Sequence, residues 1–265
     1  MKQKPMFADY EWSLDGKMRA IHEFVPVAEP QFVGTEEALP YIIWLLYKRT
    51  CDALKSFIIL AENKCYYDAF IIAGHALETC AVLSYIKDHQ DKETQQENYK
   101  KYMARSAVGR LIAILEMNDN LNEDIAWETY KVMLGQLHPF GATIIKDQKN
   151  TKEKHQEAIE KIKFREGPNS EKIKLLQKYY DKPNIKEYIT VFSNNMNNVD
   201  KGDFYFYYTK YCSHKHSNMM TPGADIRDIY MDEVDRYAGL MCLTLVYLKS
   251  SGLESYVHAT PHSSV

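Results

Sequence analysis

Apolar side chains recur every three to four residues along much of this chain, which is the spacing of an amphipathic helix. In the stretch 35–63 the apolar positions are Ile42, Leu45, Leu46, Leu54, Phe57, Ile58 and Ala61. In the stretch 65–89 they are Ala69, Ile72, Ala73, Ala76, Cys80, Leu83 and Ile86. The polar residues Asn63 and Lys64 make the break between the two stretches. So short a connection predicts that the two helices pack antiparallel as a hairpin.

The same periodicity predicts further helices at 13–24, 102–117, 122–137, 188–198, 204–217 and 228–250. No window keeps the two-residue alternation of a strand for long. The aromatic run 204–208 has strand propensity, but the spacing of Tyr208, Tyr211 and Cys212 favours a helix. The predicted fold is therefore all-α, a helical bundle built on a long antiparallel helix hairpin.

Breaks and changes in composition predict the domain organisation. Residues 1–34 form an irregular lead-in, which Pro26 and Pro30 interrupt and Gly34 ends. Residues 35–256 are predicted as a single helical domain, followed by a loose tail at 257–265. Within the domain, residues 146–186 are rich in lysine and glutamate and are predicted to form a charged helical excursion. This segment is either a solvated face or a partner-binding arm.

Charge and composition narrow the function classes. The 265 residues carry a formal net charge of −3 with a pI near 6.3, which argues against a general binder of nucleic acid or anionic membranes. Charged residues interrupt the most apolar stretches, 41–60 and 70–86, so these are predicted to be buried helices and not membrane spans. The five cysteines include no Cys-x-x-Cys pair and are predicted to be reduced and buried, as in a cytoplasmic protein.

The first candidate site lies on the second helix of the hairpin. Asp68, His75 and Glu78 fall near one helix face, and their apolar neighbours predict that they are buried. A buried glutamate needs a partner, which Arg49 of the adjacent helix or a histidine from a later helix could supply. Two interpretations stay open: a structural polar network that fixes helix register, and an acid–base site.

The second candidate site is the run 208–218, YTKYCSHKHSN. His214 and His216 are two residues apart and point about 200° away from each other on a helix, so only one faces the interior. His216 is the better candidate because it shares a face with Ser213 and Tyr208. The predicted internal cluster of catalytic candidates consists of His75, Glu78, Tyr208, Ser213 and His216.

The missing signatures are also informative. His75, Glu78 and His216 would give the two-histidine, one-carboxylate set of a metal-dependent oxidase, but no second Glu-x-x-His unit exists to build a di-iron centre. No Gly-x-Ser-x-Gly elbow accompanies Ser213, and no phosphate loop or dinucleotide fingerprint is present. Neither a metal nor another cofactor is predicted.

The helix YYDAFIIAGHALETCAVLSYI, followed at a distance by YTKYCSHKHSN, resembles an uncharacterised all-helical bacterial family. Members of that family pair a helix bearing Arg and Glu with a later helix carrying Tyr and then Ser-x-x-His. The matching positions here are Glu78, Tyr208, Ser213 and His216. Gly74 or His75 stands where the family's arginine would fall.

More distantly, the pattern is similar to helical nucleotide-binding and ribonuclease domains of the HEPN type, which are common in toxin–antitoxin and phage-defence systems. Those ribonucleases carry an arginine followed shortly by a histidine and complete the site across a dimer. Lys210 with His216 is the nearest equivalent in this chain. The resemblance implies His216 as the acid–base group, Lys210 and Arg49 as phosphate contacts, and a homodimer and RNA as partners.

Three functions follow from these observations. The first is a cytosolic, non-enzymatic helical protein that acts through an unidentified protein partner or through self-association. The second is a HEPN-like, metal-independent ribonuclease acting as a phage-defence or toxin effector. The third is a metal-dependent oxidase. The missing Arg–His motif and the acidic pI favour the first.

Overall fold

A computed structural model describes residues 13–25, 38–88, 91–117, 123–147, 149–181, 184–195 and 226–250. These residues are almost entirely helical, which confirms the predicted all-α fold. A short 3₁₀ helix, Gly141–Ile144, lies between the fifth and sixth α-helices. The α-helices, in chain order, are α1 Leu14–Phe24, α2 Ala38–Glu62, α3 Tyr66–Lys87, α4 Lys92–Met117, α5 Glu123–Leu137, α6 Thr151–Ile162, α7 Asn169–Tyr179, α8 Ile185–Asn195 and α9 Ile226–Ser250.

The described residues divide into two compact units. The first comprises those up to Lys87 together with those from Ile185 onward, and the second comprises those from Asp88 to Asn184. The hydrophobic pattern predicts one domain across 35–256 and gives no sign of this division.

In the first unit, α2 and α3 pack along each other as the predicted hairpin. The chain reverses at Lys64, whose φ of 59° lies in the left-handed region. The backbone N–H of Cys65 donates to the carbonyl of Leu60 at 2.9 Å, and the side-chain amide of Asn63 donates to the carbonyl of Ile59 at 2.7 Å. The polar break at 63–64 therefore ends α2 by satisfying its last carbonyls.

Helix α3 is the centre of the first unit, because α2, α8 and α9 all pack against it. It has almost no amphipathic stripe, as expected for a helix enclosed on several sides. Phe70 meets Tyr237 of α9 edge-to-face at 4.7 Å between ring centroids, and Tyr85 meets Tyr188 of α8 at the same centroid distance. These aromatic contacts fix α8 and α9 against α3.

Among the described helices, α3 is the one long and apolar enough to cross a membrane by length and composition. In the most apolar window of that helix, 78% is buried inside the protein. A buried core helix passes the same composition test, so α3 is weak evidence for a membrane span.

The second unit has a hydrophobic core of its own, formed by α4, α5, the 3₁₀ helix, α6 and α7. The segment 146–186, expected to be an exposed excursion, contributes directly to that core. Its buried apolar residues are Ala158, Ile159, Ile162, Leu176 and Tyr180. Each of its helices buries only one narrow stripe, and the lysines and glutamates between the stripe positions hide the pattern in the sequence.

Helix α4 starts ten residues earlier than predicted, at Lys92. The carboxylate of Asp91 accepts a hydrogen bond from the backbone N–H of Thr94 at 2.6 Å, which is the geometry of a helix N-cap. Few apolar residues mark the polar first turns of α4, so the hydrophobic pattern does not reveal where this helix begins.

Candidate functional site

The three candidate residues of α3 are all at least partly accessible to solvent. Asp68 and His75 are exposed and Glu78 is half-buried, so the expected burial of Asp68 and His75 is wrong. They lie on the strip of α3 that the neighbouring helices leave uncovered, with half-buried Ile71 and Ile72 between them. The spacing therefore places them on one face, as predicted, but that face is turned to solvent at Asp68 and His75.

Arg49, the suggested partner of Glu78, is exposed on α2. Within the described part of the chain, no hydrogen bond or ion pair joins Arg49 to Glu78. Beside it, Lys48 donates to the carboxylate of Asp52 at 2.7 Å, one turn along the same helix. This part of α2 therefore presents charged side chains to solvent and does not compensate the half-buried Glu78.

The remaining candidates, Tyr208, Lys210, Ser213 and His216, lie outside the described residues. The assembly of the five-residue cluster thus stays a prediction. Among the residues that the structure does describe, no group of three or more His, Cys, Asp or Glu side chains is placed to hold a metal ion.

The cysteines fall into two environments. Cys51, Cys80 and Cys242 are buried as predicted, and burial raises the pKa of the Cys51 and Cys242 thiols to about 12. Cys65 is exposed, against prediction, because it occupies the turn between α2 and α3. Cys212 lies outside the described residues.

The second unit contains a buried polar pair that the sequence analysis did not identify. His155 of α6 lies with its Nδ1 2.8 Å from the hydroxyl of Tyr180 and its Nε2 2.9 Å from the backbone carbonyl of His138. A carbonyl only accepts, so Nε2 carries the proton, and Nδ1 accepts from the Tyr180 hydroxyl. Burial lowers the pKa of His155 and raises the pKa of Tyr180, which keeps both groups neutral.

Backbone geometry holds this pair in place. Ile145 and Tyr180 form an isolated antiparallel bridge, in which Asp181 donates to the carbonyl of Ile144 at 2.9 Å. Gly141 lies directly under the His155 ring, since a Cβ there would be 2.3 Å from Cε1. The pair thus ties α6, the end of α7 and the 3₁₀ helix together. Its signal in the sequence is weak: His155 precedes Ala158 and Ile159 at helical spacing on the buried stripe.

A polar pocket of about 250 Å³ opens in the second unit where α4, α5 and the start of α7 meet. Trp127 and Tyr130 stack along its α5 side with ring centroids 5.6 Å apart. The buried Lys172 ammonium lies 5.9 Å from the centre of the Tyr130 ring and donates to the carbonyl of Arg165 at 2.9 Å. Burial lowers the pKa of Lys172. Sequence reasoning did not single out any of these residues.

Comparison with known protein families gives a match over most of the chain. Residues 41–229 fit the model of a family described as a family of unknown function (DUF5677). No curated protein and no solved structure gives a significant match.

Proposed function

The chain belongs to the DUF5677 family, and from that premise we propose that it is a non-enzymatic helical protein that self-associates through one face of α3. Membership in this family confirms the resemblance to an uncharacterised helical family that the sequence motifs indicated. The observation that carries the proposal is the exposure of His75 beside the half-buried Glu78 on the central helix of the first unit.

This face is complementary to a second copy of itself. A two-fold symmetric interface uses the same patch on both subunits, so each contact occurs twice. With the symmetry axis crossing α3 between His75 and Glu78, the imidazole N–H of each copy donates to the Glu78 carboxylate of the other. One turn from the axis on either side, the half-buried Ile71 of each copy adds apolar contact to the polar pairs.

Charge exchange tests this arrangement. His75→Glu places two acids opposite each other, and Glu78→Lys places a lysine opposite a histidine, so each single variant should weaken the dimer by about tenfold or more. The double variant His75→Glu/Glu78→Lys recreates an opposite-charge pair and should restore association. Sedimentation velocity over a concentration series measures the effect, with Glu62→Lys on the exposed end of α2 as the control.

A wild-type protein that stays monomeric to its solubility limit contradicts the proposal. So does a dimer that both single variants leave unchanged. A dimer that the single variants weaken but the double variant does not restore contradicts the pairing of His75 with Glu78.

A second candidate function is the HEPN-like ribonuclease, which the accessibility of His75 and Arg49 favours. Exposed imidazole and guanidinium groups can reach an RNA substrate, whereas buried ones cannot. Total RNA incubated with wild type, His75→Ala and His216→Ala, with and without chelator, tests it. Cleavage that His216→Ala abolishes and chelator spares supports a metal-independent ribonuclease. Intact RNA after incubation with folded wild type argues against it.

A further inference from the structure

We propose that the pocket of the second unit binds a small organic anion, with Lys172 holding the anionic group and the Trp127–Tyr130 stack holding an apolar or planar body. This site is independent of the α3 face and lies in a different unit of the chain.

Lys172 is the observation that carries the proposal. The residue is only 5% exposed, and among the described residues its ammonium makes one hydrogen bond, to the Arg165 carbonyl, which leaves two of the three ammonium N–H groups for another acceptor. No carboxylate among the described residues pairs with it at ion-pair distance. Exposed Glu166 acts on it only at longer range. Burying a cation without an opposite charge is costly, so such a group indicates an anion that completes the site.

The position of Lys172 in its helix adds to that cost. It is the fourth residue of α7, near the end where the helix dipole is positive. A lysine that served packing alone would be better placed near the C-terminus of a helix. At the N-terminal end, the cation and the dipole act together on a bound anion.

The remaining walls define the rest of the ligand. Trp127 and Tyr130, stacked on each other with an interplanar angle of 16°, form an aromatic wall of the pocket, and Ala126 and Ile114 add apolar contact. At the rim, Arg165 pairs with Asp124 at 2.9 Å, so its charge is already balanced. Lys172 is therefore the group available to the anion, and the aromatic stack suits a planar body.

The size of the pocket limits the ligand. A volume of about 250 Å³ corresponds to about eight waters and falls just below the usual range for organic ligands. That space suits a single-ring carboxylate or phosphate and excludes a dinucleotide. Both anionic groups satisfy an ammonium, so the ligand class is a small aromatic or apolar anion of either kind.

Isothermal titration of the full chain with defined probes tests the site. The probes are benzoate, phenyl phosphate and inorganic phosphate, with benzyl alcohol as the neutral counterpart. The variants are Lys172→Met, which keeps the side-chain stem and removes the charge, and Lys174→Met, which removes an exposed charge two residues along the same helix. We expect an organic anion to bind wild type and Lys174→Met equally and to bind Lys172→Met about tenfold more weakly or worse.

The stronger of the two organic probes identifies the anionic group. The proposal is overturned if neither binds folded wild type, if benzyl alcohol binds as well as they do, or if Lys172→Met keeps full affinity. Circular dichroism establishes that Lys172→Met is folded. If Lys172→Met does not fold, Ala126→Leu replaces it as the test variant, because leucine extends a larger apolar side chain into the pocket. Loss of binding in Ala126→Leu supports the proposed site, and retained binding overturns the proposal.

Discussion

The hydroxyl of Tyr180 lies 2.8 Å from Nδ1 of His155, and both side chains are buried in the core of the second unit. Since the opposite ring nitrogen donates to the carbonyl of His138, both nitrogens of the neutral imidazole are satisfied. The pair therefore acts as a polar cross-link between α6 and the end of α7, and the following two predictions depend on it.

Gly141→Ala should destabilise the second unit. The added Cβ would be 2.3 Å from Cε1 and 2.6 Å from Nδ1 of His155, so the ring or the backbone must move, at a cost of about 1–3 kcal/mol. Urea unfolding followed by circular dichroism measures the change. Gly135→Ala on α5 is the matched control: a Cβ there meets nothing within 4 Å, so it should stabilise the protein by about 0.5–1 kcal/mol. Equal effects of the two substitutions would show that the ring does not rest on Gly141.

The stability of the protein should fall as the pH is lowered, because His155 is harder to protonate in the folded state than in the unfolded chain. Burial is the main cause that holds its folded-state pKa below 6.5, so the unfolded chain binds more protons in the interval between the two values. The contribution of the neutral pair is full above pH 6.5, declines as the pH falls below 6.5, and levels off below the folded-state pKa. Unfolding free energies of wild type and His155→Gln from pH 5 to 8 isolate this residue. Parallel pH curves for the two proteins would refute the assignment.

The ion pair between the buried Lys17 and Asp235 should contribute to the stability of the first unit. The Lys17 ammonium donates to both carboxylate oxygens of Asp235, at 2.9 and 3.0 Å, and joins α1 to α9. Asp235→Ala should cost about 1–3 kcal/mol, with the lower half of the range favoured because the carboxylate is partly exposed. Lys17→Met should cost less, because it removes the buried charge and keeps the apolar stem.

A double-mutant cycle measures the coupling between Lys17 and Asp235 from unfolding midpoints. Asp52→Ala is the control, since the exposed Lys48–Asp52 pair on α2 should contribute about 0.5 kcal/mol or less. A loss in Asp235→Ala no larger than in the control would mean that burial of Lys17 adds nothing to the pair.

The helices of the first unit could be predicted because their apolar positions are many and regular. The polar break at 63–64 lies between two strongly periodic stretches, and the structure places the turn of the hairpin there. Element type and pairing thus follow from local pattern and connection length. The exposure of His75 does not follow, because which side of α3 is left uncovered depends on where α8 and α9 pack.

The packing of the second unit could not be predicted from the sequence in the same way. Its short helices α6 and α7 bury few residues each, so charge dominates their composition. His155 and Tyr180 are 25 positions apart, and nothing local marks them as partners. Lys172 likewise becomes notable only when the fold buries it beside Tyr130. Sites assembled from residues that are distant in the sequence can be recognised only from the tertiary structure.

Thiol reactivity should separate Cys65 from the buried cysteines. Cys65 is exposed at the turn of the hairpin, whereas Cys51 and Cys242 are buried with pKa values raised to about 12, which leaves almost no thiolate at neutral pH. In the native protein, iodoacetamide should therefore modify Cys65 well before Cys51, Cys80 or Cys242. Peptide mass spectrometry assigns each site separately, and Cys65→Ser should remove the fastest signal among these four. Modification of Cys51 or Cys242 at the rate of Cys65 would mean that α2 or α9 opens readily, which would contradict the burial of these two thiols.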